Sequence, residues 1–256
     1  MLVDYQVENR IAKITLNRAE KRNAFNSDLV KELIAAFEQA EHDEKVKVIV
    51  LKAAGEVFSA GADLDYLKKL QSNSFEENLK DSDLLKTLFH QIYQQPKIVI
   101  AQVEGHAIAG GCGLASVCDF IFAVPEAKFG YTEVKIGFIP AIVAIFLIRR
   151  IGEGKAKELL FSGDLISAEK AINIGLINYL STADKIEAEV NAFAAKLCKG
   201  TSAQSIALTK QLLNNVQDLT LTDALDFASE MNAHARSTED CKNGISAFLN
   251  KNKIEW

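Results

Sequence analysis

Short apolar runs alternate with amphipathic helical stretches along the first two thirds of the chain, and that alternation restricts it to the α/β class. Val3 to Val7 and Ile11 to Leu16 repeat apolar residues at every second position around the turn Glu8-Asn9-Arg10, which predicts an opening hairpin. After the polar loop Asn17 to Asn26, Ser27 stands where a helix cap belongs, and Leu29, Val30, Leu33, Ile34 and Phe37 put one apolar face on a helix ending near Asp43. Val46 to Leu51 then reads as a strand covered on both faces. The same grammar returns as the helical pattern Phe75 to Tyr93, the break at Pro96, the run Ile98 to Val103, a Gly-rich bend and strand-like Phe120 to Val124.

From Gly152 onward the periodicity is almost wholly helical: Lys155 to Phe161, Ala168 to Ile174, Ile186 to Leu197, Ser202 to Val216, Leu221 to Met231 and Glu239 to Leu249. Leu176 to Leu180 is the strand-like exception. No repeat, low-complexity linker or Pro/Ser-rich seam interrupts the chain, so the expected division is a change of class near residue 200, with an α/β core over 1–199 and a helical region over 200–256.

The 256 residues are 48% apolar and 25% charged with 3 Pro and 14 Gly, which excludes disorder and collagen. A net charge of −5 argues against a nucleic-acid binder with a broad basic face, so an anionic ligand needs local donors. The cysteines Cys112, Cys118, Cys198 and Cys241 form no CxxC pair, and no cleavable leader precedes the first strand. The expected compartment is the reducing cytoplasm. The apolar stretch Ile139 to Ile148 is closed by Arg149 and Arg150, short of the roughly 18–20 residues of a membrane span. It reads as a buried helix or an interface.

Two glycine-bearing segments carry the first chemical signal: Phe58-Ser59-Ala60-Gly61-Ala62-Asp63-Leu64 and Gly105 to Leu114, which contains Gly110-Gly111-Cys112-Gly113. Each follows a strand-like run and precedes a helical pattern. Such bends leave main-chain N–H groups without partners, free to hold an oxygen that gains charge. They are equally tight helix entries packed against strands, and spacing alone favours that plainer reading. Neither is a P-loop, and no GxGxxG is present. His42, His90, His106 and His234 show no paired ligand spacing, so no metal site is expected. Cys112 reads as a small buried residue rather than a nucleophile.

In order and spacing, Leu16-Asn17-Arg18 with Asn23-Ala24, Phe58 to Leu64, Gly105 to Asp119, Phe129-Gly130-Tyr131-Thr132-Glu133 with Gly137 and Pro140, and Gly163-Asp164 through Ala171 and Gly175-Leu176 resemble the crotonase superfamily of enoyl-CoA hydratases and isomerases. The resemblance covers nearly the whole chain. It implies a ClpP/crotonase-like spiral of ββα units followed by C-terminal helices, acting on an acyl-CoA thioester with no cofactor beyond the coenzyme A of the substrate. It assigns the N–H groups of Ala62 and Gly110 to the thioester oxygen, and a bulky residue at Gly110 is expected to hurt most. Ser59, Ala60, Asp63, Leu64 and Gly111 then line the CoA pocket, with Asp63 read as a helix-start carboxylate. Glu133 matches one of two glutamates flanking the substrate's C2–C3 bond.

The other glutamate is missing, because Gly113 stands directly after Gly-Gly-Cys. That glycine, with the aliphatic segment Pro140-Ala141-Ile142, resembles the bacterial branch of methylglutaconyl-CoA hydratases and related carboxygeranoyl-CoA hydratases. Gly113 is expected to free volume for a branched acyl group whose own carboxylate orients the water. The alternatives are a double-bond isomerase with Glu133 as sole proton shuttle, a non-catalytic CoA-thioester-binding subunit, and decarboxylation of a branched acyl thioester. The resemblance also implies Tyr131 at the acyl pocket, phosphate partners among Arg18, Lys21, Arg22, Lys251 and Lys253 near Ala24, and homotrimers paired into hexamers in which Phe248 covers a ligand.

Overall fold

The computed structural model describes residues 1–256. Strands β1 (Val3–Glu8) and β2 (Ile11–Leu16) form the opening hairpin. Helix α1 (Ser27–His42) follows, capped by Asn26, whose side chain accepts the Leu29 N–H, so the cap lies one residue before the expected Ser27.

The chain then steps between two sheets in a repeating ββα pattern. β3 (Val48–Ala53) lies in a six-stranded sheet and β4 (Val57–Ser59) in a four-stranded one, before α2 (Leu64–Leu70) and α3 (Phe75–Gln94). β5 (Ile98–Val103) and β6 (His106–Ile108) repeat the step and lead into α4 (Gly110–Ser116). β7 (Phe120–Ala123) and β8 (Lys128–Gly130) repeat it again, ahead of a 3-10 turn over Glu133–Ile136 and α5 (Ala141–Ser162). The remainder is β9 (Ile166–Ser167), α6 (Ala168–Asn173), β10 (Tyr179–Leu180), α7 (Ile186–Gly200), α8 (Ala203–Val216), α9 (Leu221–Ser237) and α10 (Glu239–Leu249).

The large sheet runs β1-β2-β3-β5-β7-β10, parallel except for the hairpin, and the small one β4-β6-β8-β9, antiparallel only at β8/β9. All of β5 and the first four residues of β3 are buried, as expected for parallel strands sandwiched by helices. Short connections between the sheets demand close backbone approach. At Gly105 a Cβ would sit 2.0 Å from the Glu56 carbonyl oxygen, so only glycine fits that step.

The loop between β2 and α1 is held by Asn23, fully buried in the left-handed region (φ 51°). Its amide donates to the Ala54 and Val57 carbonyls and accepts the Arg18 N–H, tying the loop to the β3–β4 connection. The apolar run near residue 140 divides between faces: Val143 and Leu147 of α5 are buried, while Ile139, Ile145 and Ile148 are exposed. α5 kinks at Gly152 (φ 76°, ψ 160°). α8, α9 and α10 bury no residue and expose Leu213, Leu225, Ile245 and Phe248. No helix is long and apolar enough to cross a membrane.

Candidate active site

The two glycine bends lie side by side because β4 and β6 pair in parallel, with Ser59 opposite Ala107. Ala62 and Gly110 each stand three residues beyond that register pair, so the two turns leave the sheet together. A Cβ on Gly61 would lie 3.8 Å from the Gly110 nitrogen and 2.9 Å from the Ala109 Cβ, and Gly61 itself has φ +87°. Both close approach and conformation therefore require glycine there.

The directions of the two N–H groups follow from their neighbours. Phe25 bridges Ala62 in parallel: its N–H donates to the Gly61 carbonyl at 2.6 Å, and its carbonyl accepts the Asp63 N–H at 2.9 Å. Those bonds use the peptide groups on either side, so the Ala62 N–H points away from Phe25 and has no acceptor in the chain. Gly110 opens α4, whose first intrahelical bond runs from the Gly113 N–H to the Ala109 carbonyl. Its own N–H is left free, as in any first helical turn. Ala109 sits at φ 51°, ψ −126°, held by its N–H on the Gly130 carbonyl at 2.7 Å. An alanine there stores strain of order 1–3 kcal/mol directly beside the paired donors.

Glu133 begins the 3-10 turn that follows β8, the next strand of the same small sheet. One carboxylate oxygen, Oε2, is buried without a hydrogen-bond partner. Burial pushes its pKa up, and the group's own main-chain N–H offsets part of that. The 3-10 turn that carries it packs against α5. Cys112 is fully buried and its thiol is pushed up to about 12, so it stays protonated and inert. Two free amide donors and one desolvated carboxyl suit a reaction that builds charge on an oxygen while moving a proton at a nearby carbon.

Several expected roles change. Gly113 does not open a vacant volume: a Cβ there would lie 2.1 Å from Val143 Cγ1 and 3.1 Å from Phe89, because α4 packs directly on α5. The Val143 side chain fills the space expected for a branched acyl group. Tyr131 is fully buried with its hydroxyl on Ser116 Oγ at 3.0 Å, so it belongs to the core and lines no open pocket. Gly111 is less tolerant of a side chain than Gly110. A Cβ at Gly111 would meet Ser59 at 2.6 Å, whereas one at Gly110 meets the Phe25 ring at 3.3 Å.

Asp63 caps α2 through the N–H groups of Asp65 and Tyr66 and pairs with Arg18 at 2.6 Å. Burial raises its pKa, but the Arg18 bond and the Asp65 N–H outweigh that and leave it below the usual carboxylate range. Arg18, also bonded to the Ala24 carbonyl, is committed to this contact and not to a phosphate. Ser59 is equally internal: its hydroxyl donates to the Asn23 carbonyl and accepts the Gly61 N–H. The Ala60 N–H donates to the Arg22 carbonyl, while Leu64 is exposed at the start of α2. Arg22 is exposed near these bends, and Lys21 is paired with Asp65. Phe248 and Lys251 lie exposed at the end of α10, which packs on α8 and α9. His106 accepts the Lys128 N–H on Nδ1. No group of three or more His, Cys, Asp or Glu could hold a metal ion. Sequence reasoning missed Val143 and Asn23: nothing in a helical apolar run marks one valine as filling the place of a side chain thirty residues earlier.

The family model described as "Enoyl-CoA hydratase/isomerase" matches residues 6–256. The chain belongs to the enoyl-CoA hydratase/isomerase family. A Thermus thermophilus protein provisionally named an enoyl-CoA hydratase is 41% identical over 247 residues, covering 96% of this chain and 97% of its own. The short-chain-enoyl-CoA hydratase of Clostridium acetobutylicum is 35% identical over 250 residues, covering 97% and 94%. The crystal structure of an enoyl-CoA hydratase from Shewanella pealeana superposes with a TM-score of 0.95 at 31% identity, covering 100% of this chain and 96% of that one. The crotonase fold expected from sequence is therefore the fold observed, and this family member is an enzyme of the hydratase/isomerase type acting on an acyl-CoA.

Two predictions follow from the packing and charge of the site. Gly113→Glu should lose about 1–3 kcal/mol through overpacking against Val143. Combined with Val143→Ala it should be more stable than the sum of the single changes by about 1 kcal/mol or more in denaturant unfolding, and strict additivity would refute the interlock. Glu133→Gln should affect stability in a pH-dependent way. The native carboxyl holds its proton above the unfolded pKa, so its stabilising contribution is complete below that value and lost as pH rises through the folded pKa. Partial exposure screens the effect to roughly 1 kcal/mol, so the variant should melt about 2–4 °C above wild type near pH 8, with the gap closing near pH 4. A gap independent of pH would contradict the burial of that carboxylate.

Proposed function

We propose that this family member adds water across the α,β double bond of an enoyl-CoA, with Ala62 and Gly110 holding the thioester oxygen and Glu133 serving as both base and acid. The observation that carries the reading is the buried Glu133 carboxylate oxygen without a hydrogen-bond partner, at the end of a strand in the same small sheet that sets the two free amides side by side. Glu133 takes a proton from water as the water oxygen bonds to C3, and the double-bond electrons pass through C2 to the carbonyl oxygen. The resulting enolate rests on the two N–H groups, each worth on the order of 3 kcal/mol in the barrier. Glu133 returns the proton to C2, giving a 3-hydroxyacyl-CoA. A carboxyl with a raised pKa suits both transfers near neutrality.

The methylglutaconyl-CoA assignment rests on the sequence resemblance at Gly113 and Pro140-Ala141-Ile142, since Val143 removes the volume argument for it. The single carboxyl also supports a second reading, isomerisation, in which Glu133 moves one proton between C2 and C4. Exposed Arg22 and Lys251 are candidates for the CoA phosphates. The bare apolar faces of α8–α10 support assembly into a homotrimer or a hexamer.

Incubation with crotonyl-CoA, 3-methylglutaconyl-CoA and a 3-enoyl-CoA in heavy water tests the reading. Hydration with deuterium delivered to C2, falling roughly 10²–10⁴-fold in Glu133→Gln while CoA-thioester binding persists, is the expected result. Double-bond migration with exchange and no net hydration would give the isomerase. Tight binding with no conversion would refute both.

A further inference from the structure

Tyr131 is the largest fully buried side chain of the protein, and its hydroxyl is spent inside the core, 3.0 Å from Ser116 Oγ. Ser116 Oγ in turn donates to the Gly113 carbonyl at 3.0 Å. A serine hydroxyl has one proton to give, so with that proton on Gly113 the tyrosine is the donor and Ser116 Oγ the acceptor. Both residues are buried, and neither reaches a ligand.

The bond joins the two halves of the site. Ser116 ends α4, the helix that Gly110 opens, whereas Tyr131 directly follows β8 and precedes Glu133 by two residues. α4 meets the same chain at a second point, where the Ala109 N–H donates to the Gly130 carbonyl at 2.7 Å. The neighbouring residues Gly130 and Tyr131 therefore grip both ends of a helix about 10 Å long. One attachment would leave α4 a pivot; two fix its direction. Arg150 of α5 braces the Ser116 end further, donating to the Ser116 and Cys118 carbonyls at 3.2 and 2.7 Å. A buried hydroxyl pair gains little net stability over an apolar pair of the same shape. What a directional bond of this kind adds is a unique geometry.

We propose that Tyr131 is a positioning residue: through Ser116 it sets the direction of α4, and with it the aim of the Gly110 N–H relative to the Glu133 carboxyl. Productive geometry tolerates errors of only about 10–20°, so losing one of the two anchors slows the chemistry without emptying the site. This deepens the acyl-CoA reading of the same site and rests on it.

Tyr131→Phe removes the bond while Ser116 keeps its acceptor on Gly113, so no buried polar group is orphaned. Ser116→Ala breaks the same bond from the other side, should phenylalanine disturb folding. Wild type, both variants and their combination would be compared as full-length protein for crotonyl-CoA turnover, butyryl-CoA binding and exchange of the butyryl C2 hydrogens in heavy water. Exchange needs the two amides and Glu133 but no added water: the carboxylate takes the C2 proton, the electrons rest on the thioester oxygen, and a deuteron returns to C2. Tyr131→Phe should lower kcat and the exchange rate by about tenfold or more, with KM and the butyryl-CoA dissociation constant within about twofold of wild type. Its melting temperature should stay within about 3 °C. The combined variant should be no slower than the slower single one, because both changes remove one bond. Rates within about twofold of wild type in folded Tyr131→Phe, or losses that follow the melting temperature instead of the bond, would overturn this proposal alone. A wild type that exchanges without hydrating would sink the hydratase reading while exchange still decides this one, and a wild type that does neither would overturn both.

Discussion

The parallel pairing of β4 with β6 is the constraint on which the rest of the site depends. With Ser59 opposite Ala107, both chains leave the sheet three residues later at the same level, and the Ala62 amide beside the Phe25 bridge and the first-turn amide of Gly110 are both left without partners. The surroundings are fitted to that geometry: glycine at 61 where a Cβ would strike Ala109, glycine at 111 where one would strike Ser59, and an alanine held at positive φ by Gly130. Asn23 and the Arg18–Asp63 pair fix the neighbouring loop and the start of α2 from below. Rigid hydrogen-bonded scaffolding thus surrounds two groups that are themselves deliberately unsatisfied.

The charges follow the same division. Asp63 is paired, capped and held in its ionised form, while Glu133 and Asp81 are desolvated and have no such partner. The first carboxylate stabilises the fold, whereas burial of the other two lowers its stability near neutral pH. Gly113, where the family resemblance implies the first of the two glutamates, does not leave a hole. α5 approaches α4 until Val143 occupies that place, which makes this side of the site apolar.

Much of this architecture was legible from periodicity. The hairpin, α1, α3, β5 and the helices after residue 180 lie where two- and three-to-four-residue repeats place them, because each is long enough to show its buried face. The small sheet was not legible as a sheet: β4, β6 and β8 have three residues each and β9 two, too few for any alternation. Yet these strands align the site, so the glycine bends were visible as motifs while the reason for their convergence was not. Motif position likewise marked Glu133 but could not tell that Tyr131 two residues earlier points into the core. Nor could it show that Arg18 is spent on Asp63, or that the volume at Gly113 is already filled, since these are facts of three-dimensional packing between distant segments.

The central claim is that the Ala62 and Gly110 amides polarise one thioester carbonyl, and vibrational spectroscopy of the bound ligand measures it most directly. With Glu133→Gln slowing conversion, the carbonyl stretch of an isotopically labelled enoyl-CoA should move below its position in water when the ligand binds. A stretch unchanged from the aqueous value, with the thioester demonstrably bound, would contradict the account.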